Sequence, residues 1–158
     1  MIRTNFDIMK PLIVLIVVFI LSLVTTKIIS GEFNFILSGN IAMSCMLLFT
    51  ALGHFVYTKG MILMMPGFIP FKKELVILTG FIEIIAAIGL FLPCRRHLTS
   101  ILLIIFFILI LSANINAAIK KVDFQKATLD GPGTNYLWFR VPLQLIFIVW
   151  VIYFGLGK

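Results

Sequence analysis

Charge is the first thing this chain lacks. Only 12% of its 158 residues are Asp, Glu, Lys or Arg, and only six of those are acidic. A soluble domain carries about 25% charged residues. Cysteine is almost as scarce, with Cys45 and Cys94 far apart and no C-x-x-C pair, which argues against dithiol chemistry. The two histidines, His54 and His97, fall on opposite sides of the sequence-derived membrane plan. They cannot share an ion, so no metal site and no bis-histidine haem is expected. A phosphate-binding glycine loop, a nucleophile elbow and an H-E-x-x-H helix are all missing. Together with the apolar excess, the shortage of charge removes soluble enzymes, secreted disulfide scaffolds and disordered regulators.

What fills the space is apolar. Hydrophobic residues make up 61% of the chain and the mean hydropathy is +1.17. A globule of this size cannot hide that surface in one core, so lipid must be the solvent. The net charge of +7 does not indicate nucleic-acid binding, because the basic residues sit in short loops between apolar runs. Such charges set membrane orientation.

A spanning helix needs about 20 apolar residues. Five segments qualify: Pro11 to about Ile29, about Phe35 to Tyr57, Leu75–Leu92, Leu98–Ile119 and Leu137–Leu156. The expected architecture is an all-α polytopic membrane helical bundle. The first segment has no small-x-small cleavage site after it and reads as a retained helix rather than a signal peptide, with Pro11 at its start. With the N-terminus inside, the inner segments hold Arg3, Lys10, Lys59, Lys72, Lys73, Lys120, Lys121, Lys126 and Arg140. The outer ones hold Lys27, Arg95, Arg96 and Lys158. Nine against four places the C-terminus outside, although Arg95-Arg96 votes the other way.

Two connections stand out. Met61–Pro70 is apolar but broken by prolines and a glycine, so it lies in the interface or dips into the bundle. Lys120–Asn135 is the long polar loop, with a turn at Asp130-Gly131-Pro132-Gly133.

Polar groups in lipid are costly and therefore informative. Glu83 sits mid-way along the third span, roughly 12 Å below the surface by helix rise. Its neighbours one turn away, Thr79, Gly80, Ala86 and Ala87, are small and suit helix packing. Glu83 therefore points into the bundle. His54 and Asn114 lie near the ends of the second and fourth spans, and Arg140 and Gln144 open the fifth on one face. Topology puts all five in the half of the bilayer nearest one surface. The other half, with Cys45 and the Ile101–Leu111 run, reads as almost wholly apolar. The pattern predicts a polar pocket opening on the basic face over a hydrophobic floor. Glu83 is equally able to form a structural pair with Arg140 or His54, and Asn or Gln can simply knit helices together.

The order of short motifs resembles the DoxX-like family of small bacterial membrane proteins. The pieces are Gly53-His54-Phe55, Met65-Pro66 with Phe68-Ile69-Pro70, and Gly80-Phe81-Ile82-Glu83. Gly89-Leu90 with Pro93 and Arg95-Arg96 follow, then Ala113-Asn114-Ile115-Asn116-Ala117-Ala118, then Trp138-Phe139-Arg140-Val141-Pro142-Leu143-Gln144. Where that family would have Pro-Ala-Asn-Ile-His, this chain has Ser112-Ala113-Asn114-Ile115-Asn116. The resemblance implies a four-helix core over residues 35–158, with residues 1–34 as an additional N-terminal transmembrane helix and turn. It also implies a bacterial cytoplasmic-membrane location and a quinone-linked or redox-accessory role. On that basis Glu83, His54, Asn114, Arg140 and Gln144 are ligand-binding or proton-active candidates for a quinone or lipid. A membrane or peripheral oxidoreductase is the expected partner, and a homo-oligomer is a further expectation. The alternatives are a purely structural membrane subunit and an acid–base enzyme using Glu83 with His54. A channel or transporter fits less well, because the far half offers no polar path.

Overall fold

The structure is a computed structural model that describes residues 2–157, with side chains from residue 9 onward except that of residue 136. It is all-helical. In chain order the elements are α1 (Ile2–Ser30), α2 (Phe35–Val56), α3 (Thr58–Met64), α4 (Lys72–Phe91), α5 (Pro93–Ile119) and α6 (Asn135–Trp150). A π-helical turn at Val151–Gly155 continues α6. Among the described residues the nearest thing to a sheet is one isolated antiparallel bridge, Asp123 to Thr128. Five helices are long and apolar enough to cross a membrane, and they lie where the apolar runs place them.

Helix ends differ from the hydropathy-based bounds for local reasons. The fourth span begins at Pro93 rather than Leu98. Proline at the first helical position loses no hydrogen bond there, and its fixed φ suits the helix. Arg95, Arg96 and His97 are consequently helical, and the Nε of Arg96 reaches back to donate to the Leu90 carbonyl at 3.2 Å. Pro11 is not a helix start, because α1 already runs from Ile2. Proline inside an apolar helix is tolerated when neighbouring helices cover the freed backbone groups.

One core gathers residues from every long helix. Leu15 of α1 is fully buried against it, with Met43, Met46 and Leu47 of α2, Ala86, Ala87 and Leu90 of α4, Leu103, Phe106 and Phe107 of α5, and Leu143 and Phe147 of α6. The α2–α4 pair is held by small residues and by a buried Ser44 hydroxyl that donates to the Ala87 carbonyl at 2.9 Å. A methyl group at Gly80 would stand 2.9 Å from the Cβ of His54. Glycine there lets the two helices approach closely.

The half away from the basic loops is less uniformly apolar than its hydropathy suggests. Asn40 is buried, and its Nδ2 donates to the carbonyls of Ile36 and Phe154, both at 2.7 Å. The Phe154 carbonyl lies in the π turn, where the regular helical hydrogen-bond register is interrupted. Trp150 Nε1 donates to the Gly39 carbonyl at 3.0 Å. Short polar side chains at this end therefore hydrogen-bond to backbone and tie α2 to the end of α6.

Candidate functional site

Near the other end, the helices do not close. They leave a cavity of about 480 Å³. α2 contributes Thr50 and His54, α4 contributes Thr79 and Glu83, α5 contributes Asn114, and α6 contributes Arg140 and Gln144. All five candidate side chains thus border one space. The floor is apolar and aromatic, formed by Met46, Phe107, Ile110 and Phe147.

Glu83 is 5% exposed, and its Oε1 lies 3.5 Å from the Nε2 of His54. The pairing follows from the Gly80 contact, which brings the α2 and α4 backbones together one turn before Glu83. His54 is oriented from its other side. Its Nδ1 lies 3.0 Å from the Val76 carbonyl and 3.0 Å from the Thr79 hydroxyl, which itself donates to Val76 at 2.8 Å. The second carboxylate oxygen, Glu83 Oε2, is buried with no hydrogen bond among the described residues. Burying a polar atom in that condition is costly.

The remaining candidates come from the facing helices. Gln144 is buried and its Nε2 donates to the Phe107 carbonyl at 2.8 Å, fixing α6 against α5. Asn114 is 1% exposed and Arg140 is half-buried. Of the two pairings open to Glu83 from sequence, His54 is within ion-pair distance.

Several wall residues were not singled out from sequence. Lys10 and Pro11 bring α1 to the cavity rim. The apolar connection after α2 forms the short helix α3, which turns Met61 and Met64 toward the cavity while Phe68 beyond it is 86% exposed. Asn116 Nδ2 donates to the Met64 carbonyl at 2.6 Å, pinning the end of α3 to α5. The loop of residues 120–134 folds back over this helix, and its Phe124 and Gln125 join the cavity wall. Asp123 organises that loop, accepting from the backbone N–H groups of Gln125 and Lys126 at 3.1 and 3.2 Å. The matching face for Lys10 and the loop was readable from topology, but their contact with the cavity needed the folded chain.

Other chemistry has less support. Cys45 is half-buried and Cys94 exposed, both as free thiols. Among the described residues no group of three His, Cys, Asp or Glu side chains is placed to hold a metal ion.

A family model described as "Domain of unknown function (DUF8561)" matches residues 43–154, about seven-tenths of the chain. The match corrects the resemblance drawn from short motifs: the family is not DoxX-like. Gly-His-Phe, Gly-Phe-Ile-Glu and Trp-Phe-Arg are sparse marks in an alphabet dominated by Ile, Leu and Phe. Small residues beside a polar one arise wherever apolar helices pack closely. The missing histidine after Asn114 was a departure in the same direction. The redox-partner expectation loses its support with the resemblance. No curated protein and no solved structure matches the chain.

Proposed function

Because the chain belongs to this family of unknown function, whose description assigns no chemistry, we propose from the cavity itself that it is a membrane protein that binds a small amphiphile. The polar head of that molecule, in the size range of a short-chain quinone or a lipid fragment, meets Glu83, Asn114, Arg140 and Gln144. Its apolar part lies on Met46, Phe107, Ile110 and Phe147. The observation that carries this reading is the cavity of about 480 Å³ with polar groups from four helices at one side and an apolar floor at the other. Ligand pockets of about 300–1,000 Å³ with a few convergent polar groups are the usual form of small-molecule sites.

The orientation we propose has the N-terminus and the cavity mouth on the cytoplasmic side of the membrane. Lys59, Lys72, Lys73, Lys120 and Lys121 cluster near that end in sequence and fold, as the positive-inside rule asks. The exposed rings of Phe68, Phe71 and Trp138 suit the headgroup level. Cys94, which is exposed at the start of α5, would then react with a membrane-impermeant maleimide in intact cells. Labelling only after the cells are opened would reverse the orientation.

The binding test is thermal unfolding of the detergent-purified protein with a short-chain ubiquinone analogue and with a short-chain monoacylglycerol. A ligand present at about 100 times its Kd adds about 2.7 kcal/mol, roughly a 5–10 °C shift for a chain of this size. Ala113→Phe fills the cavity from α5 and should abolish the shift while leaving the fold intact. A second reading, that the polar cluster only specifies packing, is favoured by the His54–Glu83 pair and the Gln144–Phe107 bond. It expects Glu83→Gln to lower Tm with no ligand-dependent shift in either protein.

A further inference from the structure

We propose that the molecule bound in this cavity presents a hydroxyl donor to Glu83 Oε2, so that the site selects phenols, quinols or alcohols over carbonyl or ether analogues of the same shape. This rests on the pocket reading above and names the head chemistry.

A backbone carbonyl can only accept, so the 3.0 Å contact with Val76 requires the proton of His54 to be on Nδ1. The Thr79 hydroxyl already donates to the same carbonyl and leaves its oxygen facing Nδ1. With Nδ1 so assigned, the Nε2 contact to Glu83 Oε1 at 3.5 Å is attractive only with a proton between the two atoms. That proton is formally on the imidazolium or on the carboxyl. In either form Oε2 carries none and remains an acceptor.

Oε2 has no donor among the described residues and is shut off from open water. The Glu83 side chain borders the cavity, so a small turn of the carboxyl brings Oε2 to a molecule lying there, which supplies what the oxygen lacks. In both forms Oε2 accepts, and the hydrogen bond it takes is the stronger when the carboxyl is ionised. A carbonyl head would instead set lone pair against lone pair. Thr79 and His54 act as positioning residues, since they fix which carboxylate oxygen is left over.

The test compares three probes with one ring and one tail: para-hexylphenol, its methyl ether para-hexylanisole, and hexyl-para-benzoquinone. Each is titrated calorimetrically into the full-length protein in detergent, with hexanol and decanol as aliphatic alcohols that separate a ring-bearing head from a lipid alcohol. The phenol should bind wild type about tenfold or more tightly than the ether and the dione. In Glu83→Gln that gap should narrow to about threefold or less. Thr79→Val should narrow it too, and Thr79→Ser should restore it, whereas a merely structural Thr79 would change Tm without touching the ratio. Equal binding of all three rings to wild type overturns the donor rule and leaves the pocket standing. Binding by none of the probes, with Ala113→Phe behaving as wild type, overturns both.

Discussion

Gly60→Ala is the sharpest test of how the cavity is covered. Gly60 lies in α3, and a Cβ built there would sit 1.8 Å from the Phe124 carbonyl oxygen, 2.4 Å from its carbon and 2.6 Å from its Cα. Ordinary contact begins at 3.4 Å. The obstacle is backbone, so no rotamer change relieves it, and α3 cannot retreat freely because Asn116 holds the Met64 carbonyl at 2.6 Å. The loop of residues 120–134 must lift. Overpacking costs about 1–3 kcal/mol, and losing the edge-to-face contact of Tyr57 with Phe124, at 5.8 Å and 89°, costs about 0.5–1.5 more. A central value of about 3 kcal/mol is roughly a hundredfold in the loop's opening equilibrium. The cost is local, because the long helices pack independently of this contact. Hydrogen exchange should therefore accelerate at the amides of Val122 and Gly131, which donate to Ala117 and Lys121 at 2.9 and 2.7 Å. Amides in α2 and α4 should keep their protection. Gly67→Ala, where a Cβ would meet nothing within 4 Å, is the control. Unchanged exchange at Val122 and Gly131 in Gly60→Ala would show that the loop is not seated on α3, and the lined cavity would lose Phe124 and Gln125.

Other consequences are smaller. Asn40→Ala removes both bonds to Ile36 and Phe154 and should lower stability by about 1–2 kcal/mol. It should leave probe binding at the opposite end unchanged, as thermal unfolding with and without ligand would report. In the exposed loop, the hydrogen bond from the Thr128 hydroxyl holds the Asp130 carboxyl below its ordinary value of 3.8. Its ionised form is thus favoured in the folded loop, and the contribution is present above the ordinary value and lost as pH falls through the folded one. Carbon-detected NMR titration should find the Asp130 midpoint below 3.8 in wild type and closer to it in Thr128→Ala. An unchanged midpoint would remove the hydrogen bond as its cause.

Much of the bundle was legible because hydropathy and length act residue by residue. Lipid requires long apolar runs, and those runs are visible without tertiary information. The shared depth of His54, Glu83, Asn114, Arg140 and Gln144 was also legible, since alternating spans dictate which helix ends lie together. The structure gathers their side chains around one cavity, while what that cavity does rests on the proposal. Helix bounds were harder: Pro93 both ends an apolar run's neighbour and starts a helix, and hydropathy sees only the basic residues after it. The motif resemblance failed because short apolar words recur by composition. Lys10, Phe124 and Gln125 were missed as wall residues for a different reason. Phe124 and Gln125 reach the cavity through a loop seated by the Gly60–Phe124 contact, and Lys10 through the way α1 packs on the bundle.

The two ends of the bundle use polar side chains in opposite ways, and that contrast separates glue from site. Away from the cavity, Asn40, Ser44 and Trp150 each donate to a named backbone carbonyl on a neighbouring helix. These side chains give helix–helix adhesion worth about 1 kcal/mol apiece. The buried Ser38 hydroxyl has no partner among the described residues, but it is neutral. Around the cavity the polar groups include a carboxyl, an imidazole and two cationic side chains, Lys10 and Arg140. Charged groups are a poor choice for adhesion, since removing them from water costs more than their pairing returns unless every lone pair is met. Glu83 leaves one oxygen unmet among the described residues, on a side chain that borders the cavity. A bundle needing only cohesion would be as stable with an Asn or Ser at that position, hydrogen-bonded to backbone as at the far end. If Glu83→Ser raises Tm while the protein loses its preference for a phenol over the matching ether, the carboxyl is retained for the ligand. If the substitution lowers Tm and the preference persists, the carboxyl is glue after all.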